Sequence, residues 1–184
     1  MGLRKNDLLL KGIGVSPGII IGKAFLFDSS EIEVSTVHLN TEDEINQEIN
    51  RFKLSIHESK QQLLVIKKEV ERKKYKEARY IIDAQILMLD DKLLIENIVS
   101  TIKEKKIDAA SAVRDTIRGL SKSFDDVGDE YLKERKSDID YIGERITRNI
   151  LGRKRQDLSN IKEESIIVAN DLSPADTLTW MWMW

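Results

Sequence analysis

The sequence predicts an α+β fold in which a bundle of long helices is inserted between strands. Three observations predict it. Apolar residues recur in steps of three and four over most of the chain. The two prolines, Pro17 and Pro174, both lie near the ends, so the middle lacks the strongest helix breaker. Apolar, partly β-branched runs stand on either side of the helical stretch, Ile19 to Phe27 before it and Ser165 to Ala169 after it.

Ser16-Pro17-Gly18 is turn chemistry, because proline presets its own φ and glycine permits a positive one. Ile19 to Phe27 then reads as a buried strand, with Gly22 marking a bulge or a close backbone contact. Ser35 to Leu39 reads as a second, short strand. Thr41-Glu42-Asp43-Glu44 fits a capping box with acids in the first turn, so a helix starts there. Ile45, Ile49, Phe52, Ile56, Leu63, Ile66 and Val70 keep one face of it buried. A further helix runs from about Glu77 to Leu89. Asp90-Asp91 interrupts it and caps the next, which carries Leu94, Ile98 and Ile102. Asp108 caps a helix through Val113, Ile117, Leu120, Phe124 and Val127, and Gly128 weakens its continuation. The last helix carries Leu132, Ile139, Ile142, Ile146 and Ile150 and ends at Gly152. Asn170 to Pro174 reads as a turn. Trp180 to Trp184 holds all three tryptophans; it is read as a non-native tail and left out of the fold.

The chain has 184 residues, enough for one large domain or two small ones. Hydrophobic residues make up 41% and charged residues 34%, the mixture of a folded, helix-rich protein. A formal net charge of -2 gives no reason to expect nucleic acid as a partner. There is no cysteine, which excludes disulfides, thiolate metal sites and cysteine nucleophiles. No apolar run approaches the roughly 20 residues a membrane helix needs, and no cleavage pattern follows Leu8-Leu9-Leu10. A cytoplasmic protein without membrane contact is expected.

No motif announces a catalytic centre by itself. Gly18 to Ala24 shares glycine and lysine with a P-loop, but only three residues separate the glycines, and Ala24 replaces the hydroxyl that would hold magnesium. His38 and His57 are the only histidines, and neither has a second histidine at i+4 to build a helical metal site. Asp90-Asp91 and Asp125-Asp126 are neighbours in sequence, so on a helix their carboxylates diverge; capping and solvation account for them. Charge is unevenly placed. Lys60 to Arg79 holds eight basic and three acidic residues, and Asp125 to Glu144 holds three basic and eight acidic. The simpler expectation is two helices attracting each other across the bundle; the sharper is a charged rim around a protein-binding patch.

Four stretches, in order, carry a resemblance. They are KGIGVSPGIIIGKA from Lys11, YIIDAQILMLDDKLL from Tyr80, DEYLKERKSDIDYIGERITRNILG from Asp129, and IIVANDLSPADT from Ile166. Together they resemble the Enzyme I family of the phosphoenolpyruvate-dependent sugar phosphotransferase system, over Lys11 to about Thr177. The resemblance implies a helical HPr-binding domain inserted into a swivelling phosphohistidine α/β domain, here incomplete. It divides the chain into residues 1–29 and 153–179 for the two parts of the phosphohistidine domain, 30–152 for the HPr-binding domain, and 180–184 for the tail. It also implies a phosphotransferase that passes a phosphoryl group from phosphoenolpyruvate, by way of a histidine, to the phosphocarrier protein HPr for sugar uptake.

Carried onto this sequence, the resemblance makes Leu87, Met88, Phe124, Tyr131 and Leu132 apolar contacts to HPr and Arg135 the polar one. It assigns no catalytic residue here. The family's Thr-Ser-His segment is not found in the chain, so the chain is expected to be an N-terminal fragment that binds HPr without transferring phosphate. Magnesium and the phosphoenolpyruvate barrel are implied only for the full-length enzyme, with no cofactor in this chain. Family members dimerise through that barrel, so a monomer is expected here. Two departures stand out: Lys76 beside Glu77 where the family has acids, and Gln85 where it has a histidine. They leave open the nitrogen-related paralogue. An unrelated helical adaptor is the alternative in another class, and the flanking strands and turn motifs argue against it.

Overall fold

The computed structural model describes residues 12–27, 32–73, 76–125, 130–153, 161 and 165–181. In chain order the elements are β1 (Lys23–Phe27), α1 (Glu42–Arg72), α2 (Lys76–Leu89), α3 (Lys92–Lys105), α4 (Ala109–Asp125), α5 (Glu130–Ile150), β2 (Ser165–Ala169) and α6 (Pro174–Met181). The two strands pair in parallel with Lys23 opposite Ser165 and Phe27 opposite Ala169. Parallel neighbours need a crossover, and here the crossover is the whole of α1 to α5. The architecture is thus α+β with a helical bundle inserted between paired strands.

The bundle forms because each amphipathic stripe meets another. Ile45, Ile49, Phe52, Leu63 and Val70 of α1 are buried against Ile82 and Leu89 of α2, Ile98 and Ile102 of α3, Val113 and Ile117 of α4, and Ile142, Ile146 and Ile150 of α5. Helices α4 and α5 approach closely because Gly143 sits opposite Ile117; a Cβ there would come within 2.7 Å of the isoleucine Cγ1. Buried serines on α1 are satisfied by their own helix, Ser55 Oγ donating to Phe52 O at 2.6 Å and Ser59 Oγ to Ser55 O at 2.7 Å.

The caps follow the sequence. Thr41 accepts from the Glu44 amide at 3.2 Å, and the Glu44 carboxylate accepts from the Thr41 amide at 3.2 Å. Asp91 accepts from the amides of Leu93 and Leu94 at 2.8 and 3.2 Å. Asp108 accepts from Ser111 N at 3.0 Å, and its other oxygen accepts from Val37 N at 2.8 Å. Gly152 ends α5 with φ of 62°. Two long-range ties add to these: Arg51 donates to Ile150 O at the end of α5, at 2.7 and 3.1 Å, and the Glu48 carboxylate accepts from Ala109 N at the start of α4, at 2.7 Å.

Four expectations are corrected. The first strand begins at Lys23 rather than Ile19, because β2 offers five partners and they are used from Lys23 to Phe27; Ile19, Ile20 and Ile21 are exposed. Ser35 to Leu39 is an extended segment with a single bridge, His38 to Ile107, rather than a strand, since only one short stretch of chain lies alongside it. The turn at Asn170 is followed by α6, with Ala175 and Leu178 buried in the bundle core. Finally, two lysines of the basic stretch of α1 turn to acids of the α2 stretch rather than to α5. Lys60 and Lys67 pair with Asp90 and Asp83 across the α1–α2 seam. At the α1–α5 seam Asn149 donates to Ser59 Oγ at 2.8 Å, Gln62 donates to Asn149 Oδ1 at 2.8 Å, and Arg145 donates to Gln62 Oε1 at 3.1 Å. Gly128, Asp126 and Val127, which figured in the expected end of α4, lie outside the described residues, as do Trp182 to Trp184.

Candidate functional site

Helix α2 buries one face and leaves the other uncovered. Ile82, Gln85 and Leu89, at i, i+3 and i+7, turn into the bundle. On the outward side Tyr80 is 73% exposed and Leu87, seven residues on and therefore on the same face, is 70% exposed. The chain then turns sharply. Asp90 N donates to Ile86 O and Leu87 O, and the Asp91 cap starts α3, whose first turn carries Leu93 at 70% exposure. Three large apolar side chains therefore stand in water on two consecutive helices, whereas a lone exposed leucine would mean nothing.

The charges around them are matched. Lys67 Nζ lies 2.6 Å from Asp83, and Arg79 Nε lies 3.4 Å from both Asp83 and Glu71. The Lys67 hydrogen bond holds the Asp83 carboxyl below the usual carboxylate range; partial burial opposes this and Arg79 adds to it. Lys60 Nζ donates to both oxygens of Asp90, at 2.8 and 2.5 Å. The carboxylates of Asp83 on α2 and of Asp90 just after it are thus paired from within the chain.

The expected contact residues fall in three groups. Leu87 is exposed. Met88 and Phe124 are half-buried, and Met88 packs against the core. Tyr131, Leu132 and Arg135 stand on the first two turns of α5, and their side chains lie outside the described residues, as do those of Lys76 and Glu77. Gln85 is only 2% exposed, with its Nε2 unpartnered among the described residues, so this departure from the family faces the interior rather than a partner. Tyr80 and Leu93 were not singled out from sequence. The signal for Tyr80 was available: its spacing to Leu87 puts it opposite the stripe of Ile82 and Leu89.

A second concave feature, a cleft of about 420 Å³, lies between α4, α5, residues 32–34 and the turn after β2. In it Tyr141 Oη donates to Asp171 Oδ2 at 2.6 Å, and Ser121 donates to Asp140 at 2.7 Å. Burial, then the bond to Asp171 and the nearby carboxylates of Asp138 and Asp176, push the Tyr141 phenol above its ordinary range. His38 and His57 are exposed and neither lines the cleft. Among the described residues no group of three or more metal-ligating side chains is placed to hold a cation. No helix among the described residues is long and apolar enough to cross a membrane.

A long insertion of helices between parallel strands, with an exposed apolar elbow on α2 and α3, defines a helical bundle built onto a β-containing unit. Residues 11–135 match the profile of the PEP-utilising enzyme, N-terminal family, and the chain belongs to that family, on its Enzyme I branch. It is 38% identical over 169 residues to the phosphoenolpyruvate-protein phosphotransferase of Buchnera aphidicola subsp. Schizaphis graminum, covering 92% of this chain and 30% of that protein. The protein of the same name from Haemophilus influenzae is 34% identical, with 92% and 29% covered. The chain therefore spans about 30% of the length of the curated relatives it matches. A solution structure of Enzyme I superposes with a TM-score of 0.77 at 34% identity, covering 93% of this chain and 68% of that one. The N-terminal domain of the nitrogen-related Enzyme I gives a TM-score of 0.64 at 25% identity, covering 89% and 66%.

Proposed function

We propose that this chain is the carrier-docking part of a phosphoenolpyruvate-protein phosphotransferase and that it binds the phosphocarrier protein HPr. The observation that carries the reading is the exposed apolar elbow of α2 and α3, with Leu87 at its centre, in a chain of this family. The dock combines Leu87 with Met88, Phe124 and the start of α5, where Tyr131 and Leu132 supply apolar contacts. Arg135 supplies a planar fork of donors suited to orienting a partner. An apolar centre inside a rim of matched charges is the usual anatomy of a protein interface.

The parent enzyme moves a phosphoryl group from phosphoenolpyruvate to a histidine and then to HPr, with magnesium serving the first step. The contribution of this chain's residues is to hold HPr. The chain acts in the cytoplasm. The sugar branch is favoured over the nitrogen branch by the higher likeness to the former, 34% against 25% identity.

Chemical-shift mapping of the isotope-labelled chain with unphosphorylated HPr tests the site. Perturbed amides should cluster on Tyr80 to Leu94 and on the start of α5. Shifts confined to the far side of α1, around Leu54 and Val65, would refute the dock.

A further inference from the structure

The sheet and α6 relate differently to the bundle, although only Asn170 to Ser173 separate β2 from α6. Among the described residues neither strand makes a close backbone approach to any helix, whereas α6 packs on α1 and α2. Helix α6 is locked there by its own cap, the Ser173 amide and hydroxyl both donating to Asp176 at 2.9 and 2.5 Å, and by the buried Ala175 and Leu178. The β-bearing part therefore leaves the helical body at Asn170 to Leu172.

At that exit stands the Tyr141–Asp171 hydrogen bond, 2.6 Å long. A hydroxyl donating to a carboxylate is charge-assisted and stronger than a neutral pair. The other Asp171 oxygen accepts from Leu172 N at 2.8 Å, which fixes the carboxylate relative to its own turn. Tyr141 belongs to α5, the helix whose first two turns carry Tyr131, Leu132 and Arg135, so one rigid rod joins the proposed dock to the sheet's exit. We propose that Tyr141 is a positioning residue whose bond to Asp171 straps the exit of β2 to α5 and fixes how the sheet stands relative to the carrier dock. The strap itself rests on the geometry of the turn; its use in orienting the sheet toward a docked carrier rests on the proposed function above. Surrounding carboxylates and burial keep the proton on the phenol, so the donor persists across the physiological range.

The test uses the full chain with Tyr141→Phe, Asp171→Ala and Asp171→Asn, the last of which keeps an acceptor. Residual dipolar couplings report the orientation of the sheet relative to the bundle, and amide exchange reports the hold on Ile166 to Ala169. Tyr141→Phe and Asp171→Ala should each change the sheet's alignment and speed exchange in β2 by about tenfold, with Asp171→Asn close to wild type. Exchange in α1 and α4, and HPr affinity, should stay within about twofold. Unchanged alignment with β2 exchange within twofold of wild type would overturn the proposal. So would equal acceleration in α1 and α4, which would make Tyr141 a general stability residue. Failure of the wild-type chain to bind HPr would refute the docking reading alone, since the alignment of the sheet decides the strap without a partner.

Discussion

The bundle and the two-stranded sheet are built from equally apolar residues but end in opposite states. In the bundle Phe52, Leu63, Ile98 and Ile146 are fully removed from water by one another. In the β-containing part Ile13, Val15, Ile19 and Ile21 are almost fully exposed and Leu26 is 71% exposed, while Phe27 is buried. A helix satisfies its backbone internally and needs only a facing stripe. A strand needs a neighbour for its backbone and a cover for each face, and a parallel pair by itself is marginal. Stability thus resides in the helices, and the sheet is placed by what holds it.

The sharpest way to break that comparison is a matched pair of truncations. Phe52→Ala, at a fully buried site, should cost about 3–5 kcal/mol in denaturant unfolding followed by circular dichroism. Leu26→Ala should move the same transition by no more than about 0.5 kcal/mol. Similar losses at both sites would show the sheet to be part of the cooperative core. Next in size is Gly143→Ala. Its Cβ would meet Ile117 side-chain atoms at 2.7, 3.1 and 3.3 Å, and Ile117 is itself buried and unable to swing away. The overpacking cost of about 1–3 kcal/mol should exceed the roughly 1 kcal/mol that alanine gains over glycine in a helix, so the melting temperature should fall.

A smaller effect concerns the α1–α2 seam. The Asp83 carboxyl is held low chiefly by Lys67, so its contribution is present above the unfolded value near 3.8 and is lost as pH falls through the lower folded value. The pair is partly exposed, and Asp83→Asn should cost no more than about 1 kcal/mol at neutral pH. The stability difference between wild type and variant should close as pH drops below 3.8. A difference that persists to strong acid would remove the ion pair as its cause. Smallest in stability but largest in function is Leu87→Asp. It should leave unfolding unchanged within about 0.5 kcal/mol, because the side chain is exposed. It should weaken HPr binding by tenfold or more, as expected of a central interface residue.

What the sequence made legible was local. Thr41, Asp91, Asp108 and Gly152 each act within three residues of their own position, so the spacing of their neighbours announces them. Helix α6 carried the same kind of signal, with Ser173 capping, Pro174 at the first helical position and Asp176 reaching back. It was obscured by the biased tail beyond it. The rest depended on distant partners. The start of β1 is set by the length of β2. Lys60 meets Asp90 rather than α5 because of how α2 folds back. The Tyr141–Asp171 bond joins residues 30 apart in sequence, across the turn that returns the chain to the bundle. The family likeness placed the dock on α2. Which way α2 is rotated, exposing Leu87 and half-burying Met88, is decided by packing of Ile82 and Leu89 against α1 and α5 and is not written in the motif.

A calorimetric titration of the folded chain with unphosphorylated HPr tests the central claim most directly. Saturable one-to-one binding that Leu87→Asp weakens is the predicted result. Absence of heat and of any competition, from a chain whose cooperative unfolding shows the bundle intact, would contradict it.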